Sequence, residues 1–226
     1  MDSPSKPCAF VLLIAALLIP FAYAQESPAP SGSSSSVQHP RKSLPAANAH
    51  LDSGTVSNGT YRNPSFGFSC KVPEGWVLRT EEMNEREDES NQNSDKTSQV
   101  LLAAFSRPPA ARGEDVNSSI LIAAESTGEY PGLKEAGQYF GPVTEIAKAQ
   151  GFAVAEEPYE FAIGTKTLVR GDFQKDVGSR VMRQSTLVIL ARGYAVSFTF
   201  IGGTEDEVEE LIARLSFGAG VKPHQR

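Results

Sequence analysis

The chain is expected to fold as an α+β protein, an α/β/α sandwich with a central, largely antiparallel sheet flanked by helices. Three observations carry that expectation. Strand-patterned segments outnumber helical ones, the last two strands are joined only by Ala191-Arg192-Gly193, and a well-capped helix follows them. A loop that short joins antiparallel neighbours, because parallel strands need a crossover of a dozen or more residues. A doubly wound nucleotide fold is therefore not expected.

The strand candidates are Phe66 to Val72, Val100 to Phe105, Ser119 to Ala124, Phe152 to Ala155, Tyr159 to Ile163, Lys166 to Phe173, Val181 to Leu190 and Tyr194 to Ile201. In the first, alternation puts Cys70 on one face with Phe66, Phe68 and Val72, which reads as a buried, inert thiol. A helix is expected from Gly132 to Gln150, with Leu133, Ala136, Phe140, Val143 and Ile146 at helical spacing and a kink or split at Gly141-Pro142. The last strand sends Tyr194, Val196, Phe198 and Phe200 one way and the smaller Ala195, Ser197 and Thr199, with Ile201, the other. The small face suits a close helix, or else a shallow ligand surface. The closing helix starts at Thr204, with Glu207 completing a capping box and Val208, Leu211, Ile212 and Leu215 in one stripe; Gly218 is expected to end it.

Two extensions precede this domain. Residues 9–24 are apolar apart from Pro20 and end in Ala22-Tyr23-Ala24, the small-x-small pattern of a cleaved export signal, so residues 1–24 are expected to be removed and to leave no stable membrane anchor. Cys8 precedes the apolar run, which excludes lipidation at the cleavage point. Residues 25–57 carry Ser33 to Ser36 in a row and prolines at 28, 30, 40 and 45, the composition of a flexible linker. The folded domain is expected over 58–218, with a short tail at 219–226. Its roughly 160 residues are enough to bury about 70% of the unfolded surface. After cleavage only Cys70 remains, so no internal disulfide forms.

The opening of the domain, Tyr61-Arg62-Asn63-Pro64-Ser65-Phe66-Gly67-Phe68-Ser69 followed by Val72-Pro73-Glu74-Gly75-Trp76, resembles that of PsbP-like domains and their exported bacterial relatives. The resemblance is specific over about the sixteen positions from 61 to 76 and extends to element order elsewhere. It implies the same α/β/α sandwich and a non-enzymatic accessory or partner-binding role; it transfers no binding residues. Pro73 and Gly75 read as turn residues and Trp76 as a core plug.

Catalytic signals are scarce. His39, His50 and His224 all fall in the expected tails, which removes imidazole bases and zinc ligands from the domain. No nucleophile elbow, Walker loop or dinucleotide fingerprint occurs, and Gly164-Thr165-Lys166-Thr167 reads as a turn into a strand. A net charge of −6 disfavours nucleic acid as a partner. The acidic run Glu81, Glu82, Glu85, Glu87, Asp88, Glu89 and Asp95, against Arg86 alone, is read as a solvated loop that offers contacts to a basic partner or a cation; it lacks the residue order of a calcium loop. By strand parity, Arg170 and Asp172 share a face, and Arg183 on the next strand would join Arg170 in a small anion patch.

The expectation is an exported, non-catalytic accessory or binding module, periplasmic or secreted, that needs no cofactor and docks to an unidentified protein or envelope component. The alternatives are an extracytoplasmic enzyme using carboxylates or a metal, and a structural envelope protein with no specific ligand. Clustering of Glu125, Glu160 and Asp172 in one cleft would favour the enzyme. A bacterial host is assumed; in a eukaryote, Asn58-Gly59-Thr60 and Asn117-Ser118-Ser119 would be glycan acceptors.

Overall fold

The computed structural model describes residues 51–90, 97–108 and 116–218, with the side chains of 87–90 and 129 outside the description. The expected leader, most of the linker, the C-terminal tail, Asp95 and the three histidines lie outside the described residues. In chain order the fold begins with β1 (Thr55–Ser57), β2 (Thr60–Asn63), β3 (Phe68–Lys71), β4 (Val77–Leu78) and α1 (Thr80–Ser90). It continues through β5 (Ser98–Phe105), β6 (Ser119–Ser126), a 3-10 turn at Ala136–Tyr139 and α2 (Phe140–Ala149). The remainder is β7 (Ala153–Ile163), β8 (Lys166–Val177), β9 (Arg180–Ala191), β10 (Tyr194–Gly202), α3 (Glu205–Ile212) and β11 (Leu215–Phe217).

All the strand pairs are antiparallel, as expected, but they form two sheets. The larger has seven strands in the order β4-β5-β6-β10-β9-β8-β7, and the smaller has four in the order β1-β2-β3-β11. Turn chemistry sets two of the hairpins. Asn58 and Gly59 both take positive φ (48° and 67°), as do Arg192 and Gly193 (53° and 80°), which is the two-residue turn whose twist matches paired strands.

One face of the large sheet carries Ile120, Ile122, Ala124, Val196, Phe198, Phe200 and Leu187, all fully buried. The small sheet covers it with Tyr61, Phe68, Cys70 and Leu215, and Phe68 meets Phe198 edge-on at 4.9 Å. Helix α3 adds Val208, Leu211 and Ile212 to this cluster, and the half-buried Trp76 packs against it. The opposite face packs Val188, Ala195 and Phe173 against Tyr139, Phe140, Val143 and Ala147 of the 3-10 turn and α2. Further along, Met83 of α1 packs on Val100, Ala103 and Leu121. The small face of β10 is thus met by helices at its Ala195 end, while Ser197 and Thr199 are buried polar residues, Thr199 hydrogen-bonded to Thr186.

Several expectations are corrected. The acidic run is helical over its described part: Thr80–Ser90 forms a helix, with Glu81 and Glu82 in the first turn, where the helix dipole favours negative charge. The middle helix splits before Phe140 and not at Gly141-Pro142, because proline is tolerated in a first turn whose N–H groups have no intrahelical partner. Strands expected at Phe152 to Ala155 and Tyr159 to Ile163 are one strand, β7, whose register shifts on either side of Glu156 before resuming at Tyr159. The last helix ends at Ile212, and Leu215 reaches the core from a strand paired with Cys70. Glu207 caps Gly203 N–H at 2.8 Å, one residue before the position a capping box would use. Finally, β1 falls inside the expected linker. Asp52 and Ser53 tie this segment down, the Asp52 carbonyl accepting from Asn63 Nδ2 (2.8 Å) and the Ser53 carbonyl from Tyr61 Oη (2.8 Å).

Candidate binding face

Pairing in the small sheet sorts its residues strictly. Tyr61, Asn63, Phe68, Cys70 and Leu215 point inward and are buried. Directly opposed residues share a face, so Thr55 lies with Arg62, Ser57 with Thr60, Arg62 with Ser69, Thr60 with Lys71 and Ser69 with Ser216, all on the outer side. Arg214 continues this row, its carbonyl accepting from Lys71 N–H at 3.1 Å. The outer face therefore presents three cations, Arg62, Lys71 and Arg214, and five hydroxyls, with no carboxylate at any of these positions. Arg62, Lys71 and Ser216 are exposed, and Arg214 is half-buried.

Standard sheet spacings put the Lys71 and Arg214 backbones about 5 Å apart, and Arg62 about 8 Å diagonally from Lys71. None of the three cations makes an ion pair with a described residue. Where α3 runs out against this face lies a groove of about 480 Å³, lined by Lys71, Glu210, Ala213, Arg214 and Ser216. Ser216 Oγ is held by Ser69 Oγ at 2.9 Å, and Arg214 Nε is buried without a hydrogen-bond partner among the described residues. In a chain of net charge −6, this face gathers three cations and five hydroxyls, with Glu210 at the rim of the groove.

The other sequence-derived candidates are arranged differently. Arg170 lies on the large sheet with its side chain only 8% exposed, and its charge is already used. Its Nε donates to both Asp172 carboxylate oxygens at 3.0 and 2.9 Å, its Nη2 meets Glu209 Oε1 at 2.5 Å, and its guanidinium lies 5.0 Å over the Phe161 ring. Burial works against this cation, but the bonds from Glu209 and Asp172 outweigh it and raise its pKa above the ordinary arginine range. Ser185 completes the cluster by hydrogen-bonding Asp172. Arg183 is half-buried on the same sheet face, but β9 places it four residues from Leu187, the register partner of Arg170, or about 13 Å along the strand. The cluster pins α3 to the sheet and leaves Arg170 no free side for an anion.

On α1, Glu82 is held between Arg79 and Arg86, while Glu81 and Glu85 are exposed. Glu87, Asp88 and Glu89 lie on the same helix, their side chains outside the description. Among the described residues no group of three His, Cys, Asp or Glu is arranged to hold a metal. The three carboxylates that would have favoured an enzyme are dispersed. Asp172 is on the α3 side of the sheet with Arg170; Glu125 is buried on the other side, accepting from Tyr130 Oη (3.0 Å) and Tyr139 Oη (2.7 Å); Glu160 is exposed on β7, four strands from Glu125. Cys70 is a free, fully buried thiol. Burial pushes it up to about 12, with Arg214 pulling weakly the other way, so it stays protonated and unreactive.

No family model matches the chain, and no curated protein is similar to it. Among solved structures it is similar to the PsbP of the cyanobacterium Synechocystis, with 14% identity, a TM-score of 0.42, and coverage of 76% of this chain and 97% of that one. It is similar to LpqN of Mycobacterium tuberculosis, described as involved in cell envelope biogenesis, at 14% identity and a TM-score of 0.37, covering 75% of this chain and 88% of that one. A protein from Bacteroides thetaiotaomicron shares 14% identity at a TM-score of 0.39, over 71% of this chain; the match spans 48% of that longer protein.

The cationic face was missed in the sequence because Arg214 and Ser216 lie far along the chain from Arg62 and Lys71; Ser69 and Ser216, which join the two parts, are 147 positions apart. Only the alternation in Arg62 to Lys71 hinted that the polar residues share a side.

Proposed function

We propose that the chain is an exported, non-catalytic binding module that docks onto an anionic component of the cell envelope through the outer face of its four-stranded sheet. The observation that carries this reading is the set of three cations that make no ion pair with a described residue, Arg62, Lys71 and Arg214, among hydroxyls on the outer sheet surface. An export signal at residues 1–24, read from the sequence, supports the compartment. The dispersal of Glu125, Glu160 and Asp172, together with the commitment of Arg170 to Asp172 and Glu209, supports a binding role over catalysis.

The test uses the mature chain from Gln25 over immobilised polygalacturonate and over neutral dextran. Retention on the acidic polymer alone, weakening as salt rises, supports the proposal. Equal behaviour on both matrices contradicts it.

A further inference from the structure

We infer that Asn58 is a site of spontaneous modification, at which the Gly59 backbone nitrogen attacks the side-chain amide and converts it to a carboxylate. The inference stands on the turn between β1 and β2 and is independent of the docking reading. Ring closure needs an unengaged asparagine amide and a following nitrogen that is unhindered and carries a hydrogen. The described residues hold four asparagines, and the structure separates them. Asn63 is followed by Pro64, which has no N–H, and its amide donates to the Asp52 carbonyl (2.8 Å) and accepts from Phe66 N–H (3.0 Å). Asn84 is bonded on both sides to the Val100 backbone. Asn117 accepts from Ser106 Oγ (3.0 Å) and Arg107 N–H (3.2 Å) and donates to the Arg107 carbonyl (3.1 Å). Asn58 is exposed, and its amide makes no hydrogen bond with a described residue.

Gly59 meets the second requirement. Its N–H makes no hydrogen bond with a described residue; the turn is held through its carbonyl, which accepts from Val72 N–H at 2.8 Å. Beyond the chain neighbours, a Cβ at Gly59 would meet just the Val72 carbonyl oxygen, at 3.8 Å, so the approach is open. The nitrogen gives its proton to water and bonds Asn58 Cγ, the Cγ–Nδ2 bond breaks, and ammonia leaves with a proton, which makes a cyclic imide. Water then opens the ring at Cγ to give aspartate, or at the main-chain carbonyl carbon to give isoaspartate; nothing is oxidised or reduced. Either product puts a new carboxylate two residues from Thr60, the register partner of Lys71 on the cationic face. The isoaspartate form also adds a methylene to the main chain of a two-residue loop whose length fixes the pairing of β1 with β2.

The experiment ages the mature chain from Gln25 at neutral pH, once native and once unfolded in guanidinium chloride, and follows each asparagine by peptide mapping. Mass spectrometry reads the gain of an amide becoming a carboxyl, with fragmentation placing it in the sequence, and an isoaspartyl methyltransferase labels the isoaspartate product. Native Asn58 is expected to convert within tenfold of its rate in the unfolded chain, with label at position 58, while Asn63, Asn84 and Asn117 stay intact over the same period. Raising the pH from 7 to 9 is expected to speed conversion at Asn58, because the attacking nitrogen must lose its proton. Asn58 slowed more than tenfold by folding would show that the turn shields it and would overturn the inference. Conversion without isoaspartate, or at a rate indifferent to pH, would overturn attack by Gly59.

Discussion

Gly171 carries no side chain because Phe140 fills the space one would need: a Cβ there would lie 2.6 Å from Phe140 Cε1. Gly171→Ala should force α2 off the sheet and cost about 1–3 kcal/mol, read as a lower urea midpoint with unchanged slope. Arg170 makes a comparable demand through charge. Asp172→Ala would leave the guanidinium with Glu209 as its one carboxylate, beside the Ser185 hydroxyl, in a nearly closed site, and a loss of about 2 kcal/mol or more is expected. Titration adds an alkaline signature. Burial lifts both Cys70 and Tyr61 to about 12, whereas in the unfolded chain such groups ionise near about 8.5 and 10. Between those values and about 12 the native state holds more protons, so stability should fall as pH rises through this window and be unaffected by these groups below it. Urea midpoints from pH 7 to 11 test this, and Cys70→Ala should flatten the onset of the decline.

The helix α1 closes a sheet edge with side chains. Strand β5 is paired on its outer side by the two residues of β4 and by the Arg79 N–H, which donates to the Ala103 carbonyl (2.9 Å); beyond these, side chains of α1 bond its backbone. The Asn84 amide donates to the Val100 carbonyl (2.9 Å) and accepts from the Val100 N–H (2.9 Å), standing in for a neighbouring strand, and Thr80 Oγ1 accepts from Ala103 N–H (3.0 Å). Asn84→Ala should therefore cost about 1–3 kcal/mol for the exposed pair of backbone groups, and should promote concentration-dependent association through the opened edge, measured by light scattering. At the other edge, β7 is guarded by Pro158, Glu156, Glu157 and two register shifts. Legibility followed element length. The long strands β8, β9 and β10 and the capped α3 stood out because periodicity repeats over many residues. Helix α1 did not, since Met83 is its one buried apolar side chain among the described residues and its anchor is a polar amide. For β1 and β2 the Asn58-Gly59 pair was the available signal, masked by their being three and four residues long.

At the scale of the molecule, the antiparallel α+β design was readable because each hairpin in the large sheet joins neighbours in sequence. The second sheet was not, because β11 returns from the far end of the domain to pair with β3, a contact that local pattern does not encode. The candidate face inherits that opacity. Folding places Arg62, Lys71 and Arg214 on the outer side of the small sheet while acids concentrate on α1 and α3, so a net acidic chain presents a cationic surface there. The most direct measurement compares polygalacturonate affinity for the mature wild type, for Arg62→Glu/Lys71→Glu, and for Glu81→Lys/Glu85→Lys, at fixed low salt. Docking through the outer sheet face predicts a loss of at least tenfold, about 1.4 kcal/mol, in the first variant and little change in the second. Undiminished binding in Arg62→Glu/Lys71→Glu, with thermal stability retained, would contradict it.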